Sequence, residues 1–457
     1  MAAIDTSARG NWNTKLGFIL AAAGSAVGLG NIWRFPTVMA ENGGAAFLFI
    51  YALLVFIIGY PVMVAEMSMG RSSQKNPVGA FRALSNSRFF PIVGFWMVLC
   101  GIAILSFYIV IAGWTISYFF EQIFFYAGWY DLASFIADTD NGWLNAILAI
   151  IFMGLTISII LGGVSDGIER AVRMLMPMLV VIIVILIGYV LFQPGASEGL
   201  RVYLVPDFSA ITPDLILAAL GQAFFSLSLG MGALITYGSY LSKKENIPEA
   251  AGYVTVFDIG IAFLAGLLVM PTIYIAQSQG MVIFDDDGNL VAGIALIFQV
   301  LPELFHEMGG LIGLIFGATF FFLLSIAALT SSISLLEVPT SYTIDEHRMP
   351  RKKAALLIGG TVTIISIILS FNTGGIDILN YVFSDLGLPL GGLMICLFLG
   401  YVWKTENARH EIRSGFEGLD EHWFWPVWTF FVRYICPILI GLVLVVTAYE
   451  LIGTLFA

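Results

Sequence analysis

The sequence predicts an all-α polytopic membrane protein, and three observations carry that prediction. Hydrophobic residues make up 59% of the 457 and charged residues only 11%, against about 25% charged in a soluble domain. The apolar residues gather into eleven runs, each long enough to supply the roughly 20 residues that cross a bilayer. Lysine and arginine are distributed unevenly between the connections of those runs. So few charges could not cover a soluble core of this size, which excludes a soluble enzyme, a nucleic-acid binder and a disordered chain. The net charge of −11 names no partner by itself. Cys100, Cys396 and Cys436 all lie in apolar runs without metal-type spacing, so neither a disulfide framework nor a zinc site is expected.

The runs lie near 15–40, 44–70, 89–125, 142–162, 166–192, 213–241, 246–279, 309–344, 351–371, 375–402 and 424–455. The first resembles a signal peptide, because Lys15 precedes an apolar stretch with three alanines. It is interrupted by Gly24, Gly28 and Gly30 and ends at Arg34, so it reads as a broken transmembrane helix rather than a cleaved leader. The run at 89–125 exceeds a span and should tilt or protrude. The polar connections 126–141, 193–212, 280–308 and 403–423 are too short for a separate domain, which leaves one transmembrane domain over 1–457. The segment 293–308 is partly apolar and should pack over the outer face.

With the N-terminus inside, the inner side collects 17 of the 20 basic residues, from Arg9 and Lys15 to Arg409 and Arg413; Arg34, Arg201 and Arg433 are the exceptions. The positive-inside rule therefore predicts a cytoplasmic N-terminus, and eleven spans predict an extracytoplasmic C-terminus. The expected location is the cell (inner) membrane.

Two runs contain a glycine-rich interruption near mid-span: Gly24-Ser-Ala-Val-Gly-Leu-Gly-Asn31 and Phe225-Ser-Leu-Ser-Leu-Gly-Met-Gly232. Glycine lets the backbone leave the helix. An unwound stretch in hydrocarbon needs protein or a hydrated cavity to satisfy its amides and carbonyls. Gly24-x-x-x-Gly28 alone marks close helix packing as readily. The interruptions fall in spans 1 and 6, five spans apart, as expected for inverted repeats over 15–192 and 213–402 with a site between them and helix 11 at 424–455 outside.

The stretches Trp12 to Gly17, Gly28 to Pro36, Glu41 to Gly44, Phe225 to Tyr237 and Ala327 to Ser332 resemble the neurotransmitter:sodium symporters over essentially the whole chain. Among these the chain is most similar to the bacterial eleven-span amino-acid symporters. The resemblance implies a LeuT-type 5+5 inverted repeat with discontinuous helices 1 and 6, two sodium sites and alternating access. One site is expected from the carbonyls of Gly24, Val27 and Ala327 with the hydroxyls of Thr330 and Ser331. Taken without span 1, those hydroxyls would simply bond back onto their own helix. The other site is expected from the Ala26 carbonyl, Asn31, Ser226 and span 7, where Asp258 stands in place of the family's frequent Asn. A carboxylate inside a span is a functional candidate by default, and here it would supply the fixed charge that makes chloride unnecessary.

For the substrate, the resemblance places a carboxylate at the amides of Leu29 and Gly30 and the Tyr108 hydroxyl, and an amine at the carbonyls of Ala26, Phe225 and Ser228. Gly28 stands where monoamine-transporting relatives carry Asp, which favours a substrate bringing its own carboxylate. Ile104, Tyr108, Phe225, Met231, Ser331 and Leu335 should surround its side chain. Without a fixed charge they suit a neutral, mainly hydrophobic L-amino acid. For the gates, Arg34 is expected to face Asn380, with Asp377 one turn earlier, above a lid of Phe225 and Tyr108. Arg9, Trp12, Tyr240 and Asp345 should close the inner route. Gly167 and Pro177 carry a spacing that lets span 5 unwind at its start in bacterial relatives; a static proline kink accounts for it as well.

An enzyme is not expected. His306-Glu307 lacks the second histidine of a zinc helix, and neither a nucleophile elbow nor a Walker A loop is present. The acidic run Asp285-Asp-Asp-Gly-Asn289 lacks calcium-loop spacing. The rival is an amino-acid receptor of the same fold that binds without uphill uptake. No nucleic acid is expected as a partner; sodium, a neutral L-amino acid and the lipid bilayer are. The oligomeric state is left open.

Overall fold

The computed structural model describes residues 10–283 and 296–456. Nine described helices are long and apolar enough to cross a membrane: Ala45–Ser73, Phe90–Tyr126, Gly142–Leu161, Val164–Val190, Ile247–Ser278, Gly310–His347, Arg351–Ser370, Gly374–Val402 and Phe424–Tyr449. Ahead of them a bent pair, Lys15–Ala26 and Gly30–Glu41, turns through 51°. A divided helix, Pro213–Ser226 and Ala233–Gly238, falls between the fourth and fifth. Taken in chain order these are spans 1 to 11, with spans 1 and 6 discontinuous. Asp285 to Asn289 lies outside the described residues, as does 293–295 of the expected outer segment.

Local chemistry starts these helices where they start. Thr14 accepts from the Gly17 amide at 2.9 Å to cap span 1. Asn141 caps span 4, Thr212 caps span 6 ahead of Pro213, and Asn246 caps span 7 ahead of Pro248. Each side chain takes up an amide that the helix leaves without a partner. Span 8 stops at Arg348, which adopts a left-handed φ of 51° two residues before Pro350.

Spans 3 and 8 pack along one another through the centre, and the first half of span 1 lies against spans 5, 7 and 8. The second half of span 6 packs on span 2 through bare backbone. A Cβ on Gly70 would overlap the Ile235 carbonyl, and one on Gly238 would stand 2.8 Å from the Met67 carbonyl. Small residues thus let the two helices approach closely in lipid, where oily side chains alone give little preference for association.

The two ends differ. At one, the basic end, buried Arg71 of span 2 pairs with Glu411 of the helix Thr405–Arg413 (Nε to Oε1, 2.6 Å), and Lys243 reaches the same carboxylate at 2.6 Å. At the other, helix Leu296–Met308 covers spans 1, 3 and 8. Its Phe298 packs on Trp33, Trp114 and Tyr118, and its His306 reaches Glu121 at 2.9 Å.

Candidate functional site

At the span 1 interruption Val27 is extended (ψ 105°), and the chain re-enters a helix only at Gly30. The amide of Leu29 donates to the Tyr108 hydroxyl at 3.3 Å, and that of Gly28 to Asn31 Oδ1 at 3.2 Å. At the span 6 interruption Ser228, Gly230 and Gly232 take left-handed φ values of 53°, 80° and 77°. Gly230 is required twice: its φ suits glycine, and a Cβ there would overlap the Leu388 carbonyl of span 10. Its amide donates to Glu66 of span 2 at 2.8 Å. The Ser228 hydroxyl donates to the Ser25 carbonyl at 2.8 Å, so the two interruptions bond to each other.

One cluster of oxygens lies between spans 1 and 8. Thr330 Oγ1 is 3.3 Å from the Val27 carbonyl and 2.9 Å from that of Ala327. Ser331 Oγ is 3.4 Å from the Gly24 carbonyl and 3.3 Å from that of Val27. All are hard oxygen donors. Most of these separations exceed the roughly 2.7–2.8 Å of a good hydroxyl hydrogen bond. They match the roughly 3.4 Å between adjacent oxygens set at right angles about 2.4 Å from a central hard cation. The donor set therefore fits a sodium ion.

A second cluster is built around Asp258 of span 7, which has no exposed surface. Asn31 Nδ2 donates to its Oδ1 at 2.7 Å, Ser226 Oγ to the same oxygen at 2.9 Å, and the Tyr51 hydroxyl to Oδ2 at 3.2 Å. All three partners are neutral. A buried carboxylate served only by neutral dipoles is costly unless a cation joins it. Tyr51 extends the expected set of Asn31, Ser226 and Asp258. Ala26 lines the adjacent cavity.

That cavity is bounded by Ser25, Ala26, Gly28, Gly30, Ile104, Tyr108, Phe225, Ser228, Met231, Ser331, Leu335 and Leu388. Its volume of about 30 Å³ leaves room for no more than a few water molecules, so its walls must part to take a larger molecule. Leu29 borders a vestibule of about 380 Å³ on the other side of Tyr108 and Phe225, which Arg34, Asp377 and Asn380 also line. The two rings thus form the partition between the two spaces. A Cβ on Gly28 would overlap the Ser331 hydroxyl, and one on Gly30 would lie 2.7 Å from the Phe225 ring. A side chain at either position would have to displace its neighbour.

The expected acidic counterpart of Arg34 is corrected by the structure. Arg34 Nη2 pairs with Asp385 Oδ1 at 3.0 Å, while Asn380 donates to the other Asp385 oxygen at 3.3 Å. Span 10 widens into a π-helical stretch over Asn380–Leu386. The extra residue per turn shifts Asp385 into a register that counting by ordinary helical turns does not reach. The Arg34 guanidinium also sits 4.5 Å above the Phe225 ring.

At the basic end Trp12 donates through Nε1 to the Tyr237 carbonyl at 3.0 Å and packs edge-on against Tyr237 and Tyr240. Tyr240 donates to buried Glu337 at 2.7 Å, and Arg351 grips both Glu337 oxygens at 3.0 and 2.5 Å. Asp345 accepts from the amide and side chain of Asn76 at 2.8 and 3.0 Å. Arg9 lies outside the described residues. Gly167 sits in the wide turn Val164–Glu169 that opens span 5, and Pro177 lies inside the helix that follows.

Glu66, Glu337, Tyr51, Asp385 and Leu388 were not among the expected site residues. The rule that singles out Asp258, a carboxylate inside an apolar run, applies equally to Glu66 and Glu337. Tyr51 and Leu388 carry no comparable signal.

Two discontinuous helices meeting mid-protein around oxygen clusters and a small buried cavity define a secondary transporter rather than an enzyme. The family profile described as the sodium:neurotransmitter symporter family matches residues 9–135 and 122–454, and the chain belongs to that family. It is 33% identical to an uncharacterised sodium-dependent transporter of Bacillus subtilis, over 97% of this chain and 98% of the relative. It is 23% identical to the human sodium- and chloride-dependent GABA transporter 2, over 94% of this chain and 79% of the relative. Among solved structures it is similar to MhsT in complex with L-phenylalanine, with a TM-score of 0.84, 40% identity and coverage of 96% of this chain and 99% of that one. The chain therefore has the LeuT fold and is a multi-pass, sodium-dependent membrane transporter.

Proposed function

We propose that this chain couples the inward movement of sodium to uptake of neutral, mainly hydrophobic L-amino acids by alternating access, without a need for chloride. The observation that carries the reading is the buried Asp258 carboxylate, held by neutral groups alone beside a cavity whose lining contains no ionisable acid or base apart from the Tyr108 phenol. The carboxylate supplies the negative charge that a sodium ion needs, and a zwitterion supplies its own carboxylate. Gly28 supports the same choice, because a side chain there would displace Ser331. The phenylalanine held by MhsT supports an apolar side chain.

In this reading Leu29, Gly30 and Tyr108 hold the substrate carboxylate, and the carbonyls of Ala26, Phe225 and Ser228 hold the amine. Ile104, Met231, Ser331 and Leu335 fit the side chain. One sodium occupies the oxygens of Gly24, Val27, Ala327, Thr330 and Ser331; the second joins Ala26, Asn31, Ser226 and Asp258. Residues 15–192 and 213–402 form the two repeats. The basic end faces the cytoplasm of the cell (inner) membrane, with the C-terminus opposite. Arg34 with Asp385 and Phe225 closes the outer route. Trp12, Tyr240, Asp345 and the Glu337–Arg351 pair close the inner one, with Arg9 as a further contributor. Two sodium ions crossing 100 mV with a zwitterion would supply about 4.6 kcal/mol, roughly three decades of accumulation.

The test is uptake of labelled leucine, phenylalanine, alanine and glycine into proteoliposomes under a sodium gradient, with chloride present and absent. Sodium-driven accumulation without chloride is expected, largest for leucine and phenylalanine and lost in Asp258→Ala. A strict chloride requirement would overturn the role of Asp258. Sodium-dependent binding without accumulation would make the chain a receptor.

A further inference from the structure

Glu169 stands at a junction that the transport reading leaves without a role. It is 1% exposed and ends the wide turn Val164–Glu169. The start of span 1 occupies both of its oxygens: the Asn13 amide donates to Oε2 and the Thr14 hydroxyl to Oε1, each at 2.8 Å. The same Thr14 oxygen accepts from the Gly17 amide and so caps span 1. Gly17 lies flat on the carboxylate, and a Cβ there would overlap it. Half-exposed Arg173 stands 3.9 Å away, at the outer limit of an ion pair.

The turn that carries Glu169 departs from the ordinary α-helix. Gly163 before it has a left-handed φ of 85°, and the Ile168 amide reaches back five residues to the Gly163 carbonyl. Such wide turns are rare and concentrate at functional positions. One and two turns further along span 5, Val172 and Met176 lie against Gly24, whose carbonyl belongs to the first oxygen cluster; Thr330 lies on its other side. The wide turn, the cap of span 1 and the oxygen cluster therefore form one continuous strip of contact.

We propose that Glu169 is a positioning residue that ties unwinding of the first turn of span 5 to release of the inner half of span 1. The proposal rests on the sodium-coupled, alternating-access reading. Both acceptors belong to one side chain, so the two bonds to span 1 are lost together when the turn unwinds. The Asn13 amide is then left unpaired, and the Thr14 hydroxyl loses the acceptor that turns its lone pair toward Gly17. Span 1 loses its cap and its lateral tie in one event. A cation in the oxygen cluster draws span 1 against span 8 and so opposes that event.

Hydrogen exchange on the full-length protein in lipid nanodiscs, in sodium against potassium and without amino acid, reads this directly. In the wild type, segments 12–20 and 163–172 should slow together when sodium is added. Glu169→Ala should speed both by about tenfold, the scale of a lost charge-assisted hydrogen bond. Glu169→Gln keeps the size and one acceptor and should fall between the two, which also serves if the alanine variant does not fold. Thr14→Val should speed segment 12–20 and add little on top of Glu169→Ala, because the two share one interaction. Glu249→Gln removes the partner of Lys15 in span 1 and should leave segment 163–172 unchanged. Faster exchange at 163–172 alone, or additive effects of the two substitutions, would overturn the proposal. A wild type insensitive to sodium but with the Glu169 pattern intact would overturn the sodium reading and leave the tie standing.

Discussion

The closures at the two ends of the central cavity are built on different scales. Toward the vestibule, one ion pair and the rings of Tyr108 and Phe225 separate cavity from solvent, and the side chains of Arg34 and Asp385 keep 22% and 26% of their surface exposed. Toward the basic end, Trp12, Tyr237, Tyr240, Glu337 and Arg351 interlock, with Glu337 fully buried. Arg71, also without exposed surface, fastens the same end through Glu411. A partly solvated pair exchanges protein contacts for water at little cost, whereas separating a buried pair strands charge in a low-dielectric interior. In the proposed orientation the thin barrier is the outer one, suited to frequent opening, and the inner one would open only if the start of span 1, the end of span 6 and the Glu337–Arg351 pair part together.

That contrast orders four expected outcomes. Glu337→Ala should have the largest effect: it strands Arg351 and Tyr240, a loss on the scale of 3–5 kcal/mol for half of a buried pair, roughly a hundredfold or more in the closed population. Labelling of a cysteine introduced at Tyr237 from the basic end should rise accordingly, and unchanged labelling would show that the inner closure does not depend on this pair. Gly30→Ala comes next. Its methyl group would meet the Phe225 ring at 2.7 Å and push the lid toward the vestibule, so labelled phenylalanine binding should fall roughly tenfold, a cost within the order of 1–3 kcal/mol for overpacking. Asp385→Asn should weaken outer closure by about 1 kcal/mol, roughly fivefold, and less at high salt. A salt-independent effect as large as that of Glu337→Ala would erase the contrast between the ends. Asn380→Ala, which removes one 3.3 Å bond to Asp385, should change uptake by only about two- to threefold, since a long, partly solvated hydrogen bond falls at the low end of the usual range, about 0.5 kcal/mol.

Most of the candidate site was legible because the interruptions announce themselves. Gly24 to Asn31 and Phe225 to Gly232 stand out against apolar runs, and Asp258 stands out as a charge among them. Thr330 and Ser331 became readable only once paired with span 1. The counterpart of Arg34 was misplaced because Asn380–Leu386 winds with an extra residue per turn, and nothing in the local sequence signals that widening. Glu337 and Glu66 carried the same signal as Asp258, yet their partners lie on other helices: Tyr240, 97 positions away, and Arg351, 14 positions on, for one, and Gly230, 164 positions away, for the other.

Composition and periodicity by themselves determined the membrane class, the eleven spans and the two places where the backbone leaves the helix, because hydrocarbon imposes the same demand on every span whatever its neighbours. Tertiary structure alone decided which carbonyl faces which hydroxyl, which acid meets Arg34, and that Glu169 grips the cap of span 1. Those contacts join residues as far as 351 positions apart in the chain, and helix packing and register, rather than local sequence, bring such distant groups within bonding distance.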